Sequence, residues 1–294
     1  MGLRANPTGR QRRFGAEVRK LRESAGLSVA EAASLLGMKP PHLSNIEAGR
    51  TSLSEERLRS LASASGLIDG TYIDALIELG QASGKGWWSE YRERLPASFL
   101  DYAELEASAR KLSGYEPLFV PGLLQTREYA TAIHHHGYSR NTYEWHETAI
   151  EFRMRRQEAL TKNQALQFRA IMHEAALRPT LGDGEVMRDQ LLKLIEMARL
   201  PNVTVQVLPF DGPVPYGTPF ILFEPGISRL GTVAVPQVHG TVYLGDEVSL
   251  TRYNEDFETL SRLALPAVGE ETMGKKRLRK DSLGLMQQLL YPML

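Results

Sequence analysis

The sequence predicts a chain of two classes: an all-α N-terminal module over residues 1–82 and a larger α+β region over residues 83–294, where helices precede a small mixed sheet. Three observations predict it. Up to Gly66, apolar residues recur at helical spacing between tight glycine stops, whereas after residue 202 strand-like runs appear: "VTVQVLP", "FILFEP", "TVAVP" and "TVYLG". The stretch "SGKG" at 83–86 has the composition of a hinge. Charge is also uneven: the formal net charge is zero, yet residues 1–60 hold eleven Lys/Arg against six Asp/Glu. A polyanionic partner therefore suits the first module only.

Composition narrows the function classes. The 294 residues, 42% hydrophobic and 24% charged, suit one large or two ordinary globular domains. With no cysteine there is no disulfide framework, thiol nucleophile or cysteine-based zinc site. No apolar run approaches the roughly 18 residues of a membrane span, and "MGLRANPTGRQRRFG" lacks a signal-peptide core. A soluble cytoplasmic protein without membrane contact is expected.

In the first module Phe14, Val18 and Leu21 share one helical face, and Gly26 stops that helix. Ser28 caps a second helix, with Glu31 at the capping-box position, and Ala32, Ala33, Leu35 and Leu36 give it a small-residue face. Gly37 marks a sharp turn, Leu43 and Ile46 line a third helix ended by Gly49, and Leu53, Leu58 and Leu61 carry the core into a fourth. The stretch "IDALIELGQAS" adds a fifth.

The stretch "RKLRESAGLSVAEAASLLGMKPPHLSNIEAGR" resembles the Xre/lambda-repressor type of helix-turn-helix, through "LR…GLS", "A…LG", "LS.IE.G" and their mutual spacing. The resemblance implies that the start of the third helix enters the DNA major groove while flanking donors hold phosphates. It implies also that Arg22 and Glu47 form a structural ion pair between the first and third helices. Pro40 and Pro41 are compatible with a helical first turn, whose N–H groups have no intrahelical acceptor. Their rings suit a thymine methyl, so hydrogen-bonded reading falls to His42, Ser44 and Asn45, with Lys39 and Arg50 on phosphate. Asn45, bidentate to adenine, is the best discriminator, worth about 1–3 kcal/mol. Val29 departs from the family, which usually has a Gln there to clamp the backbone. Just ahead of helix 1, "RQRR" with Arg13 reads either as an arm on phosphate or as a frayed, solvated terminus.

For the second region the sequence predicts helix to about residue 112, then extended residues interrupted by Pro117 and Pro121, with a helix opening near Leu123. A helix over 142–161, a strand running into a helix at "LQFRAIMHEAALR", an amphipathic helix at "EVMRDQLLKLIEMAR" and a closing helix over 248–264 follow. "YEPLFVPGLLQTREYA", "RMRRQ", "HEAALR" and "PNVTVQVLPF" resemble the C-terminal domain of actinobacterial Xre-type regulators of the WhiJ-like group. That resemblance implies a transcriptional regulator in antitoxin-like or developmental settings, often beside a small partner protein. Gln125 and Thr126 lie close to a helix start, and Arg153 and Arg156 share a helix face suited to an internal carboxylate or an anionic ligand. These four are candidates for a ligand or partner surface, against a packing motif and a solvated charged face. The tail couples a basic cluster to an apolar stripe of Leu283, Met286, Leu289 and Leu290, fit for subunit or self-packing.

Enzyme signals fail on spacing. "HEAAL" at 173–177 and "HETAI" at 146–150 carry Leu177 and Ile150 where a zinc peptidase needs its second imidazole. The run His134-His135-His136 points its rings apart on a helix, and "GDGEVMRD" lacks the spacing of a calcium loop. No enzyme, cofactor or metal is expected. The expected function is sequence-specific regulation of transcription by a homodimer on an inverted repeat of double-stranded DNA, with a C-terminal domain that answers to a small molecule or small protein. The rival expectation is an antitoxin-like module that sequesters a cognate small protein.

Overall fold

The computed structural model describes residues 6–81, 85–136, 142–161, 166–178, 184–212, 217–238, 240–267 and 281–294. Half of the expected hinge, the basic tail cluster and part of "GDGEVMRD" lie outside these residues, as does the His136 side chain. The described chain divides into two compact units.

The first unit is helical. Its helices are α1 (Gly9–Ser24), α2 (Val29–Leu35), α3 (Pro40–Glu47), α4 (Glu55–Ala64) and α5 (Gly70–Gln81). Two capping boxes start α1 and α2. Thr8 and Gln11 exchange hydrogen bonds at α1, and Ser28 and Glu31 do so at α2, as their spacing predicts. Both α2 and α3 end in Schellman turns on glycine. Gly37 at φ +60 lets Met38 N–H reach the Ala33 carbonyl, and Gly49 at φ +75 lets Arg50 N–H reach that of Asn45. Phe14, Val18, Ala32, Leu43, Ile46 and Leu61 form the buried centre.

Two segments from farther along the chain complete this unit: Ala97–Leu105, the larger part of α6 (Ala97–Ser108), and Gly226–Leu230, whose Leu230 joins the same core. Nothing in their local sequence signals that membership.

The second unit holds a sheet of six strands in the order β3-β2-β1-β4-β5-β6: β1 (Lys111–Glu116), β2 (Gln167–His173), β3 (Val203–Leu208), β4 (Phe220–Glu224), β5 (Thr232–Gln237) and β6 (Gly240–Leu244). β1, β2 and β3 are parallel and the others join antiparallel, so the sheet is mixed, as expected. The helices are α7 (Arg127–His136), α8 (Tyr143–Arg156), α9 (Glu158–Thr161), α10 (Gly184–Met197), α11 (Glu247–Leu263) and α12 (Ser282–Leu290). α11 covers one face, with Phe257 and Leu260 against Tyr115, Ile171 and Val233.

Three expectations are corrected. Helix does not reach residue 112: Trp87–Tyr91 is a short 3-10 turn, and the chain enters β1 at Lys111 because Leu112 and Tyr115 gain partners on both sides. Near Leu123 there is only a 3-10 turn, Gly122–Leu124, and the helix proper opens at Arg127. "HEAAL" turns as 3-10 over Glu174–Leu177. The tail packs on its own unit: Leu285, Met286 and Leu290 are buried, and Ser282 Oγ accepts the Val207 N–H.

Candidate nucleic-acid interface

α3 has one fixed face and one open face. Leu43 and Ile46 are fully buried, and Glu47 beside them is ion-paired to Arg22 on α1, Nε to Oε1 2.6 Å. Arg22 also donates to the Leu27 carbonyl at 3.0 Å, so one guanidinium ties α1, α3 and the α1–α2 loop together. Both side chains are nearly solvent-free, and breaking such a pair costs about 3–5 kcal/mol because it leaves a buried charge unpaired. Contact between α1 and α3 is backbone-close. A Cβ on Gly15 would stand 2.5 Å from the Glu47 carbonyl oxygen, and one on Gly49 2.8 Å from that of Gln11. The roll of α3 about its axis is thereby set.

The open face carries Lys39, Pro40, Pro41, His42, Ser44 and Arg50, all exposed, and Asn45, half-buried. Lys39 is the N-cap in extended backbone (φ −81, ψ 145), the conformation that a following proline enforces. Pro40 and Pro41 remove the first two N–H donors, and the next, on His42, is bonded to the Lys39 carbonyl at 2.9 Å. This helix start therefore offers little backbone donation to a phosphate, and its polar reach rests on side chains. Asn45 Nδ2 donates one hydrogen to the Pro41 carbonyl at 2.9 Å. Its second hydrogen and Oδ1 stay available, the pair a bidentate contact to adenine needs.

The turn is held from outside, by Arg57 on α4, which donates to the Gly37 carbonyl at 3.3 Å. Sequence reasoning missed this residue, since nothing in its local pattern separates it from a solvated arginine. Val29 is half-buried against the core, so α2 presents no polar group there.

One expected contact is corrected. Arg13 lies in the interior, 7% exposed, paired to Glu17 and donating to the Arg229 carbonyl at 2.7 Å. The i,i+4 spacing to Glu17 was the available signal. Arg12 pairs with Asp101 of α6 at 3.0 Å, and Arg10 donates to the Glu78 carbonyl at 3.1 Å. "RQRR" is thus ordered within α1 and engaged with its own unit.

In the second unit Gln125 is 3% exposed. It donates to the Val120 carbonyl at 2.6 Å and accepts from Arg153 Nη1 at 2.7 Å. Thr126 Oγ1 accepts the Tyr129 N–H, and its own N–H goes to Gln190, which in turn donates to the Leu124 carbonyl. Arg156 forms a two-pronged pair with buried Glu106, while Gln157 ties the Gly122 and Gln125 carbonyls. These side chains lock the "PGLLQT" segment onto α8 and α10. In this network Gln125 is buried, and Thr126, Arg153 and Arg156 are half-buried.

His173 Nδ1 accepts the Ala175 N–H, and Glu174 accepts from Phe210 N–H and Arg178, so neither is arranged as an acid–base pair. Among the described residues, no three His, Asp or Glu side chains gather closely enough to hold a metal ion. No helix among them is long and apolar enough to cross a membrane.

Comparison with family models places a helix-turn-helix domain over residues 13–76 and the Domain of unknown function (DUF5753) over residues 99–273. Neither the curated proteins nor the solved structures contain a match. The first match makes the chain a DNA-binding regulator, in keeping with the exposed α3. The second spans more than half of the sequence, and the chain accordingly belongs to the DUF5753 family, with a helix-turn-helix domain ahead of that family's domain.

Proposed function

We propose that the protein is a sequence-specific transcriptional regulator that binds an inverted repeat of double-stranded DNA as a homodimer and answers to an effector through its second unit. The observation that carries this is the two-sidedness of α3. Its apolar side and Glu47 are fixed to α1, while His42, Ser44 and Asn45 project between the cationic ends Lys39 and Arg50. In this reading α3 lies in the major groove, Asn45 reads adenine, the proline rings pack on a thymine methyl, and Lys39 and Arg50 hold phosphates. Magnitudes favour two copies. A bidentate pair contributes about 1–3 kcal/mol, whereas specific sites commonly exceed non-specific DNA by roughly 4–10 kcal/mol. The single bidentate reader on this short helix, Asn45, falls below that range, and a symmetric pair of half-sites brings the total toward it.

The test replaces His42 and Asn45 by Ala together. Discrimination between specific and random DNA is expected to vanish while the melting temperature stays within a few degrees of wild type. An unchanged footprint would remove both residues from the reading face. Co-purification of a small protein that abolishes DNA binding would favour sequestration instead.

A further inference from the structure

The open face of α3 has an apolar centre. Leu43, Ile46 and Glu47 define the buried side of this helix. At about 3.6 residues per turn, the direction opposite their mean falls between Pro41 and Asn45, each within about 30° of it. Ser44 and His42 stand roughly 75–90° to either side, and Pro40 about 115° round, at the margin of the face. The middle of the reading surface is therefore shared by a proline and, one turn further on, the asparagine that reads adenine.

Pro41 brings no hydrogen-bonding side chain to that position. It is exposed, it has no N–H, and its side chain is a hydrocarbon ring. Its carbonyl accepts the Asn45 Nδ2 hydrogen at 2.9 Å. The next backbone donors are engaged as well: the N–H groups of His42 and Leu43 both reach the Lys39 carbonyl, at 2.9 and 3.4 Å. Bases differ in what they gain or lose against such a ring. Every purine carries the N7 acceptor in the major groove, and covering it removes water without supplying a donor. Thymine presents a C5-methyl group, which gains by the contact. Cytosine has only hydrogen at C5, and matches thymine at this atom once it is methylated. What still separates thymine from 5-methylcytosine is the O4 acceptor against the N4 donor, and a hydrocarbon ring bonds neither.

We propose that Pro41 reads a pyrimidine C5-methyl group, so that the operator accepts 5-methylcytosine in place of thymine beside the adenine read by Asn45, and a cytosine there binds more tightly when methylated. Side chains four residues apart on a helix stand about 5–6 Å from each other, against about 3.4 Å between successive bases of a strand. The methylated pyrimidine accordingly lies one or two base pairs from that adenine. A methyl group already on the DNA then acts as a signal that α3 registers directly, without an effector on the second unit. This rests on the reading of α3 as the helix that enters the major groove, and it adds to that reading which ring makes the methyl contact and which modified base satisfies it.

The experiment uses the full-length protein and a duplex carrying its selected site. Each pyrimidine within two base pairs of the Asn45-dependent adenine is replaced in turn by thymine, deoxyuridine, cytosine and 5-methylcytosine, each opposite its complementary purine. Affinity is read by competition titration. At one position thymine is expected to bind about fourfold tighter than deoxyuridine, and 5-methylcytosine about fourfold tighter than cytosine, the effect of burying one methyl-sized group. Pro41→Ser is expected to level both pairs and to leave the preference for adenine in place. The absence of any position that shows both preferences overturns the proposal, as does a Pro41→Ser variant that keeps them. The comparison of bases needs no variant, so it decides even where Pro41→Ser does not fold. A site that keeps its Asn45-dependent adenine but ignores the methyl group removes this inference alone. Enrichment of no site removes the reading of α3 and this inference together.

Discussion

At Asn45 the amide has atoms for two jobs: one hydrogen closes the helix on the Pro41 carbonyl, and the remaining hydrogen and Oδ1 make no hydrogen bond among the described residues. Asn45→Asp keeps the size, loses both donors and adds a negative charge. Binding to the selected site should weaken by about 1–3 kcal/mol or more relative to random DNA, read by competition titration. Glu116 gives a residue-scale prediction of another kind. Its folded carboxyl sits at about 7, whereas an unfolded glutamate titrates at about 4.3. The stability that goes with the protonated form is complete below about 4.3 and is lost as pH rises through about 7. Glu116→Gln should therefore melt higher than the wild type at pH 8 and indistinguishably from it near pH 4. Equal melting at pH 8 would show that the ionised side chain carries no penalty. Some residues of this kind were legible beforehand. Arg22 and Glu47 followed from the spacing of a known motif and lie together. Glu116 was not, because its environment is made by α7 and α8, distant in sequence.

Among elements, α3 depends on two glycines for different reasons. Gly15 permits the close approach of α1, while Gly49 both permits it and adopts a positive φ. Gly15→Ala and Gly49→Ala should each destabilise the fold by about 2–4 kcal/mol, measured by urea unfolding, and should weaken DNA binding by tilting α3. α1 carries a contrasting prediction. Arg12 is held by Asp101, whereas Lys39 is exposed at the mouth of α3. Lys39→Gln should lower the salt slope of DNA binding by about one, and Arg12→Gln should leave it nearly unchanged. The helices of the first unit were readable because caps and glycine stops are local signals. β1 was not, since "ARKL" consists largely of good helix formers and only pairing with β2 and β4 makes Lys111–Glu116 a strand.

For the molecule as a whole, the boundary between the units is less simple than one hinge near residue 83. Ala97–Leu105 and Gly226–Leu230 belong to the helical unit: Asp101 caps Arg12, and Leu230 is 3% exposed in its core. A fragment ending at residue 81 should consequently melt lower than the same unit in the full chain and bind DNA more weakly, seen by calorimetry and titration. Such long-range completion leaves no trace in local periodicity, whereas the mixed sheet was readable from its short apolar runs. The claim that α3 reads sequence as one of a symmetric pair is tested most directly by selecting binding sites from random double-stranded DNA with the full-length protein. An enriched inverted repeat with half-sites one helical turn apart (roughly 10 base pairs), absent for the His42→Ala, Asn45→Ala double variant, is the predicted result. Enrichment of no sequence, or of the same sequence by that variant, would contradict it.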